Sequence, residues 1–298
     1  MRMKIIILGA GAIGSLYGAK LSKLDDVVLV AKKHHANAIN KNGLKIFGFE
    51  NKTYRLKAIQ KIGKIEKDTL IILATKVYDS EYAIKNIKKL LRRDTIILCL
   101  QNGYGSEQIV RKTVGKRCLV LRGITAVGVN FLRPGTIKME NIGYTAIEKS
   151  KNSSRIAENF NKCGLKAYVS KNIKEDVWKK LFINCVLNPI TGIFRIKNCE
   201  IADKNFKPIR DEIIKECIAV AEKDGLYSTS KFVEEMVDGV RKSDNYSSMY
   251  QDLLKRKRTE IDFLNGAVVK LGKEYGIKCP VNEGLVWIIK FLEKNRLA

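Results

Sequence analysis

The sequence predicts a doubly wound α/β domain over residues 1–170 and an all-α domain over residues 171–298. Three observations predict it. The apolar run Lys4–Leu8 leads straight into Gly9-Ala-Gly11-Ala-Ile-Gly14, a helical pattern and a second apolar run. Buried-strand and helix patterns then alternate, as in a parallel sheet with helices on its faces. From about Lys171 the strand signal vanishes.

In a strand–loop–helix–strand setting the G-x-G-x-x-G spacing reads as a Rossmann-type dinucleotide site. Gly9 permits the tight turn, Gly11 lets backbone approach a pyrophosphate, and Gly14 lets helix and strand pack closely. Ala10, Ala12 and Ile13 complete a loop that places phosphates on a helix N-terminus. An NAD site usually ends its second strand in Asp or Glu. Here Val27–Ala31 runs into Lys32-Lys33-His34-His35, and Asp25 and Asp26 precede the strand. Two cations without a carboxylate suit a 2′-phosphate, so NADPH (NADP+) is expected, with Lys32 first and Lys33 second. The other reading makes them surface lysines of a lysine-rich chain. Both histidines fall beside this expected ribose pocket, which leaves no histidine for a His-Asp hydride-transfer pair.

Further strands are expected at Leu70–Ala74, Thr95–Leu100, Cys118–Arg122, Ala126–Val129, Thr136–Met139, Tyr144–Ile147 and Ala167–Val169, with helices at Ser80–Leu91 and Ser153–Cys163. Thr75-Lys76 and Gln101-Asn102-Gly103 fall just past strand ends, where open α/β sheets bind ligands. Helices are expected at 174–188, 207–224, 229–241, 248–274 and 281–295.

From Val177 to Asn188 the helix 174–188 is apolar on nearly all sides, and Pro189 is expected to stop it. Through it run Lys180, Asn184 and Asn188 at four-residue spacing, on one face. One reading is a snorkelling lysine with two amides on neighbouring backbone. The other is a stripe facing a polar ligand, with Lys180 as proton donor beside a cleft between the domains. Tyr227 and Lys231 match a Tyr-x-x-x-Lys pattern by chance, outside the nucleotide domain. Ser248 with Gln251 reads as a capping box, and an open helix N-terminus there also suits a carboxylate. Glu260 either pairs with Arg256 on one helix or orients Lys180.

Net charge is +25, yet acids and apolar residues interrupt the lysines, and aromatics do not interleave them. The run Lys255–Arg258 reads as one solvated helix face. No nucleic-acid role is expected. No run of 18 apolar residues exists, so no membrane span is expected. Seven cysteines without a Cys-x-x-Cys pair suggest reduced, buried thiols in a cytoplasmic protein, and no metal site.

At this point the sequence resembles the ketopantoate reductases (2-dehydropantoate 2-reductases) of pantothenate and coenzyme A biosynthesis. The resemblance rests on Gly9-x-Gly-x-x-Gly14, Lys76, Asn102-Gly103, Lys180-Leu-x-x-Asn184-Cys-x-x-Asn188-Pro189, and Ser247-Ser-Met-x-Gln-Asp252 through Thr259-Glu-Ile-Asp262 to Asn265-Gly266. It implies that Lys180 protonates the substrate carbonyl oxygen and Glu260 supports it. It implies substrate contacts from Asn102, Lys180, Asn184, Asn188, Asn198 and Ser248. Cofactor contacts are implied for Lys32, Lys76, Asn102, Val129 and Glu260. The implied partner is a small 2-oxo acid, with a homodimer left open. Many relatives carry a Thr-His-Gly-Ala-like stretch where this chain has Ala126-Val-Gly-Val129, so that histidine's contribution is missing. A reductase of another branched 2-oxo acid and a non-catalytic NADP(H)-binding regulator stay as alternatives.

Overall fold

Strands β1 (Lys4–Leu8), β2 (Asp26–Val30), β5 (Lys57–Ile59), β6 (Thr69–Leu73), β7 (Ile96–Cys99) and β8 (Leu119–Thr125) pair in the spatial order β5-β2-β1-β6-β7-β8, all parallel. That is the dinucleotide-binding order, with the two halves meeting at β1 and β6. These relations come from a computed structural model that describes residues 2–226, 239, 241 and 244–295. The sheet continues through β11 (Tyr144–Ile147), antiparallel to β8, and β12 (Lys166–Val169), parallel to β11.

The strands read as unbroken apolar runs because both faces are covered. Ile5, Ile7, Leu70, Ile72 and Leu98 enter one core with helix α1 (Ala12–Leu21) and Phe160 of α5 (Ser153–Lys162). Their neighbours Ile6, Leu8, Ile71, Leu73 and Ile97 enter a second core with α3 (Ser80–Ile87) and α4 (Ser106–Val114). In the first core the Tyr17 hydroxyl donates to Thr125 Oγ1 at 2.8 Å and lies 2.5 Å from Thr145 Oγ1. Burial pushes that phenol up to about 12.

Both edges of this sheet carry the same device. On β5, Asn40 of α2 (Lys33–Asn42) donates Nδ2 to Ala58 O at 2.8 Å and accepts Ala58 N–H at 2.9 Å. On β12, Asn161 does the same to Ala167, at 2.8 and 2.9 Å.

A second, four-stranded sheet orders β4 (Lys52–Tyr54), β3 (Leu44–Gly48), β10 (Thr136–Met139) and β9 (Val129–Arg133). Strands β3, β4 and β5 are absent from the expected elements; they are short and lysine-rich, with about half their residues exposed. A strand is also expected at Ala126–Val129, whereas β8 runs on to Thr125 and β9 begins at Val129. The Val127 N–H turns back onto Thr125 Oγ1, which ends the ladder between them.

The chain divides into two compact units, Met1–Ile173 and Lys174–Ala298. The second contains α6 (Ile173–Phe194) from Lys174 onward, α7 (Lys207–Lys223), α8 (Ser248–Leu254), α9 (Asn265–Tyr275) and α10 (Pro280–Asn295), with no strand among its described residues. The expected helix 229–241 and the Tyr227/Lys231 pattern lie outside the described residues, save positions 239 and 241. The expected continuous helix 248–274 is three pieces. α8 stops at Leu254, Arg256 takes a positive φ of 52°, and a 3-10 turn covers Ile261–Phe263. Glu293 holds the intervening chain by accepting from Thr259 N at 2.7 Å and from Thr259 Oγ1 at 2.6 Å. Lys255–Arg258 is therefore a turn and not a helix face.

Candidate active site

The glycine loop has the tightness its spacing predicts. Gly9 sits at φ 101°, and a Cβ on it would lie 2.6 Å from Thr75 N. A Cβ on Gly14 would lie 2.3 Å from Gly9 O. Beside Gly11 a Cβ would meet nothing within 4 Å. Two of the glycines thus lock the loop to itself and to the end of β6, and the third faces open space at the start of α1. The first-turn N–H groups of a helix have no intrahelical acceptor. A dinucleotide pyrophosphate fits this arrangement, with Gly9 to Gly14 as its cradle.

Lys32 is the N-cap of α2, with extended backbone (φ −62°, ψ 149°), and Lys33 is its first residue. Both are exposed, and no acid lies in the first turn. His35 departs from the expectation of a ribose-pocket residue. It is buried, with Nε2 3.0 Å from Ser15 Oγ and Nδ1 accepting Gly135 N–H at 2.9 Å. Phe131 packs edge-on at 4.9 Å. Burial lowers its pKa below the usual histidine value. The ring is a neutral tie between α1 and the β9–β10 turn; its place as the third residue of α2, on the face that buries Ala36 and Ile39, is the available signal.

The ends of β6 and β7 are joined by a side chain the sequence reading left without a role. Gln101 is buried, and its Nε2 reaches Thr75 O at 3.0 Å, Thr75 Oγ1 at 3.1 Å and Ser80 Oγ at 2.6 Å. Arg122, also missed, is buried in β8. It donates Nη2 to Gly103 O at 2.8 Å and Nη1 to Ser106 Oγ. Half-buried Lys76 and Asn102 are each chain neighbours of these anchored groups. Val129 opens β9 and is half-buried.

In the second unit α6 carries the polar stripe, with Lys180 and Asn184 half-buried and Asn188 buried. Pro189 does not stop it; the helix continues to Phe194 with the proline inside. Proline at 189 removes the N–H that would bond Cys185 O. Asn265 Nδ2 donates to that carbonyl instead, at 2.9 Å. Two further ties hold α6. Trp178 Nε1 donates to Asp224 Oδ2 at 2.8 Å, and Thr191 Oγ1 lies 2.7 Å from both Leu187 O and Ser247 Oγ.

Ser247, and not Ser248, caps α8: its Oγ accepts Tyr250 N–H at 3.1 Å, and the Gln251 side chain donates Nε2 to Tyr246 O at 3.1 Å, so the expected Ser248–Gln251 capping box does not form. This leaves the Ser248 side chain exposed. Asn198 is buried in a 3-10 turn and donates Nδ2 to Asn245 Oδ1 at 2.7 Å. Glu260 is 6% exposed, at the entry to the 261–263 turn. The expected alternative of a surface i,i+4 pair with Arg256 needs a continuous helix, and the chain is not helical there.

All seven cysteines are free, five of them buried. Among the described residues no cluster of His, Cys, Asp and Glu could hold a metal ion, and no helix is long and apolar enough to cross a membrane.

Fold and glycine loop together define a dinucleotide-binding protein with a second, helical unit. Residues 5–152 match the family described as ketopantoate reductase PanE/ApbA, and residues 172–293 match its C-terminal counterpart. The 2-dehydropantoate 2-reductase of Pyrococcus horikoshii is 37% identical over 96% of both chains. Among solved structures, a PanE/ApbA family ketopantoate reductase from Ralstonia eutropha superposes with a TM-score of 0.91 at 26% identity, covering 99% of this chain and 100% of that one. D-mandelate dehydrogenase, in a ternary structure with NADH and anilino(oxo)acetate, gives 0.90 at 28% identity over 99% of both chains. The chain belongs to the ketopantoate reductase family and is an NAD(P)-dependent oxidoreductase.

Proposed function

We propose that the protein reduces the C2 ketone of ketopantoate to pantoate with NADPH. The observation that carries this reading is the stripe of Lys180, Asn184 and Asn188 on one helix, in a chain that matches the family in both units. When bound, NADPH supplies the hydride. Gly9 to Gly14 hold its pyrophosphate, Lys32 and Lys33 at the α2 N-terminus take the 2′-phosphate, and Lys76, Asn102, Val129 and Glu260 complete its contacts. Lys180, as an ammonium, donates the proton to the ketone oxygen and stabilises charge developing there. Glu260 orients it. Asn102, Asn184, Asn188, Asn198 and Ser248 hold the polar groups of the substrate. α8 has seven residues, so its Ser248 hydroxyl is assigned the carboxylate contact without help from a long helix.

The D-mandelate dehydrogenase likeness supports a second reading, a reductase of other 2-oxo acids with NADH. Absorbance at 340 nm separates the two. Ketopantoate should exceed pyruvate and 2-oxoisovalerate by roughly 10²-fold or more in kcat/KM, because unmatched buried polar groups are costly. NADPH should exceed NADH by about 10-fold or more, or about 1.4 kcal/mol, and Lys32→Asp should shrink or reverse this preference. Equal rates with all three acids favour the general reductase, and equal use of NADH removes the 2′-phosphate assignment.

A further inference from the structure

Asn265 supplies the hydrogen bond that Pro189 cannot give, and its orientation is fixed from behind. It is fully buried. Its Nδ2 faces two acceptors, Cys185 O and Asn282 Oδ1, each at 2.9 Å. The buried Asn282 is in turn oriented by Glu216 of α7, whose Oε2 accepts from Asn282 Nδ2 at 2.7 Å and from Asn282 N at 2.9 Å. Glu216 Oε1 accepts Val281 N–H at 2.8 Å, so the carboxylate also caps the first turn of α10. A carboxylate can only accept. Its position therefore dictates which end of Asn282 faces it, which end of Asn282 faces Asn265, and that Asn265 presents a donor to α6.

The recipient of that donor matters. Cys185 follows Asn184 directly and lies between Lys180 and Asn188 in the chain. A proline inside a helix deletes one bond and pushes its ring against the carbonyl four residues back. A buried carbonyl left without a donor is destabilising, and the helix is free to bend at that point. A bend there would move Lys180 relative to Asn188.

We propose that Asn265, held by Asn282 and Glu216, is a positioning residue for the reaction: it replaces the backbone donor missing at Pro189 and so fixes the alignment of Lys180, Asn184 and Asn188. This rests on the reading of Lys180 as proton donor given above. Misplacing a reacting group by about 1 Å can cost on the order of 10² in rate.

The test compares Asn265→Ala, Asn265→Ala with Pro189→Ala, Pro189→Ala alone and Lys180→Met, in the full chain, with ketopantoate and NADPH, well below each variant's Tm. Asn265→Ala should lower kcat roughly 10–100-fold and leave KM for NADPH unchanged. Adding Pro189→Ala returns an N–H to Cys185 O and should bring kcat to within about threefold of the Pro189→Ala single variant. A merely structural asparagine would lower Tm and spare kcat. If Asn265→Ala does not fold, Asn265→Ser, too short to reach the carbonyl, runs the same comparison. A folded Asn265 variant with near-wild-type kcat, beside an inactive Lys180→Met, overturns the positioning role and leaves the function intact. Absence of rescue by Pro189→Ala overturns the donor replacement. An active Lys180→Met removes the proton-donor reading and this proposal with it.

Discussion

The two units set out their candidate residues by different means. In the first, the glycine loop is a backbone site, with Gly9 against Thr75 and Gly14 against Gly9, while the side chains of Gln101 and Arg122 tie the strand ends beside it. In the second, the candidates are side chains at four-residue spacing on one helix, and the helix is held by Trp178, Asn265 and Thr191. The difference teaches where each unit is vulnerable. A backbone site fails when a Cβ is added, whatever the side chain. A side-chain site fails when a functional group is removed, with the fold intact.

The sharpest test of that contrast lies at Lys180. Lys180→Ala should lower kcat by roughly 10²–10⁴, the usual contribution of a placed proton donor, while NADPH affinity stays near wild type. Single-turnover hydride transfer and fluorescence titration of NADPH check the two halves, and a loss of cofactor binding would break the division of labour. Glu260→Ala should be milder and add little in the double variant, since the two act as a unit.

Next come the glycines. Gly14→Ala forces a methyl to 2.3 Å from Gly9 O and should destabilise the first unit by about 1–3 kcal/mol, read as a lower Tm. Gly11→Ala meets open space, so Tm should hold while the Kd for NADPH rises by roughly 10-fold or more. Equal loss of stability in both variants would show that Gly11 is packed and not a ligand-facing position.

The smallest effect sharpens the comparison from the other side, because His35 is a side chain on which the first unit does depend. Its pKa is lowered by burial, so the unfolded chain binds the proton more readily than the folded one. The stability due to the neutral ring is fully present above its unfolded pKa of about 6.5 and is lost as pH falls from there toward the lowered folded value. Urea midpoints should therefore drop between pH 7.5 and pH 5.5, and the drop should shrink in His35→Gln. An unchanged drop would assign it to other groups.

Much of this was legible in the sequence, for reasons visible in particular residues. β1, β6 and β7 were found because both their faces are buried, which leaves continuous apolar runs. α6 was found because its polar stripe keeps helical spacing. Its end was misplaced because Pro189 looks like a stop, and the donor that rescues it, Asn265, is 76 residues further on. The break after Leu254 was hidden because Glu293 holds Thr259 from a distant helix. Strands β3 to β5 were missed because short, half-exposed, lysine-rich strands lack periodicity. Gln101 and Arg122 were missed because a buried polar side chain declares itself only through its partners.

The paired asparagines at the rims of the large sheet bear on how the protein behaves in a crowd. A bare rim offers its peptide groups to any extended chain that drifts past, and sheets joined in this way grow into polymers. At Ala58 and at Ala167 an incoming chain finds donor and acceptor both engaged by an amide of the same molecule. Each asparagine thus works as a counterfeit neighbouring strand one residue long. A net charge of +25 opposes the approach of copies, and at Ala58 and Ala167 the sheet margin offers an incoming strand no free peptide pair.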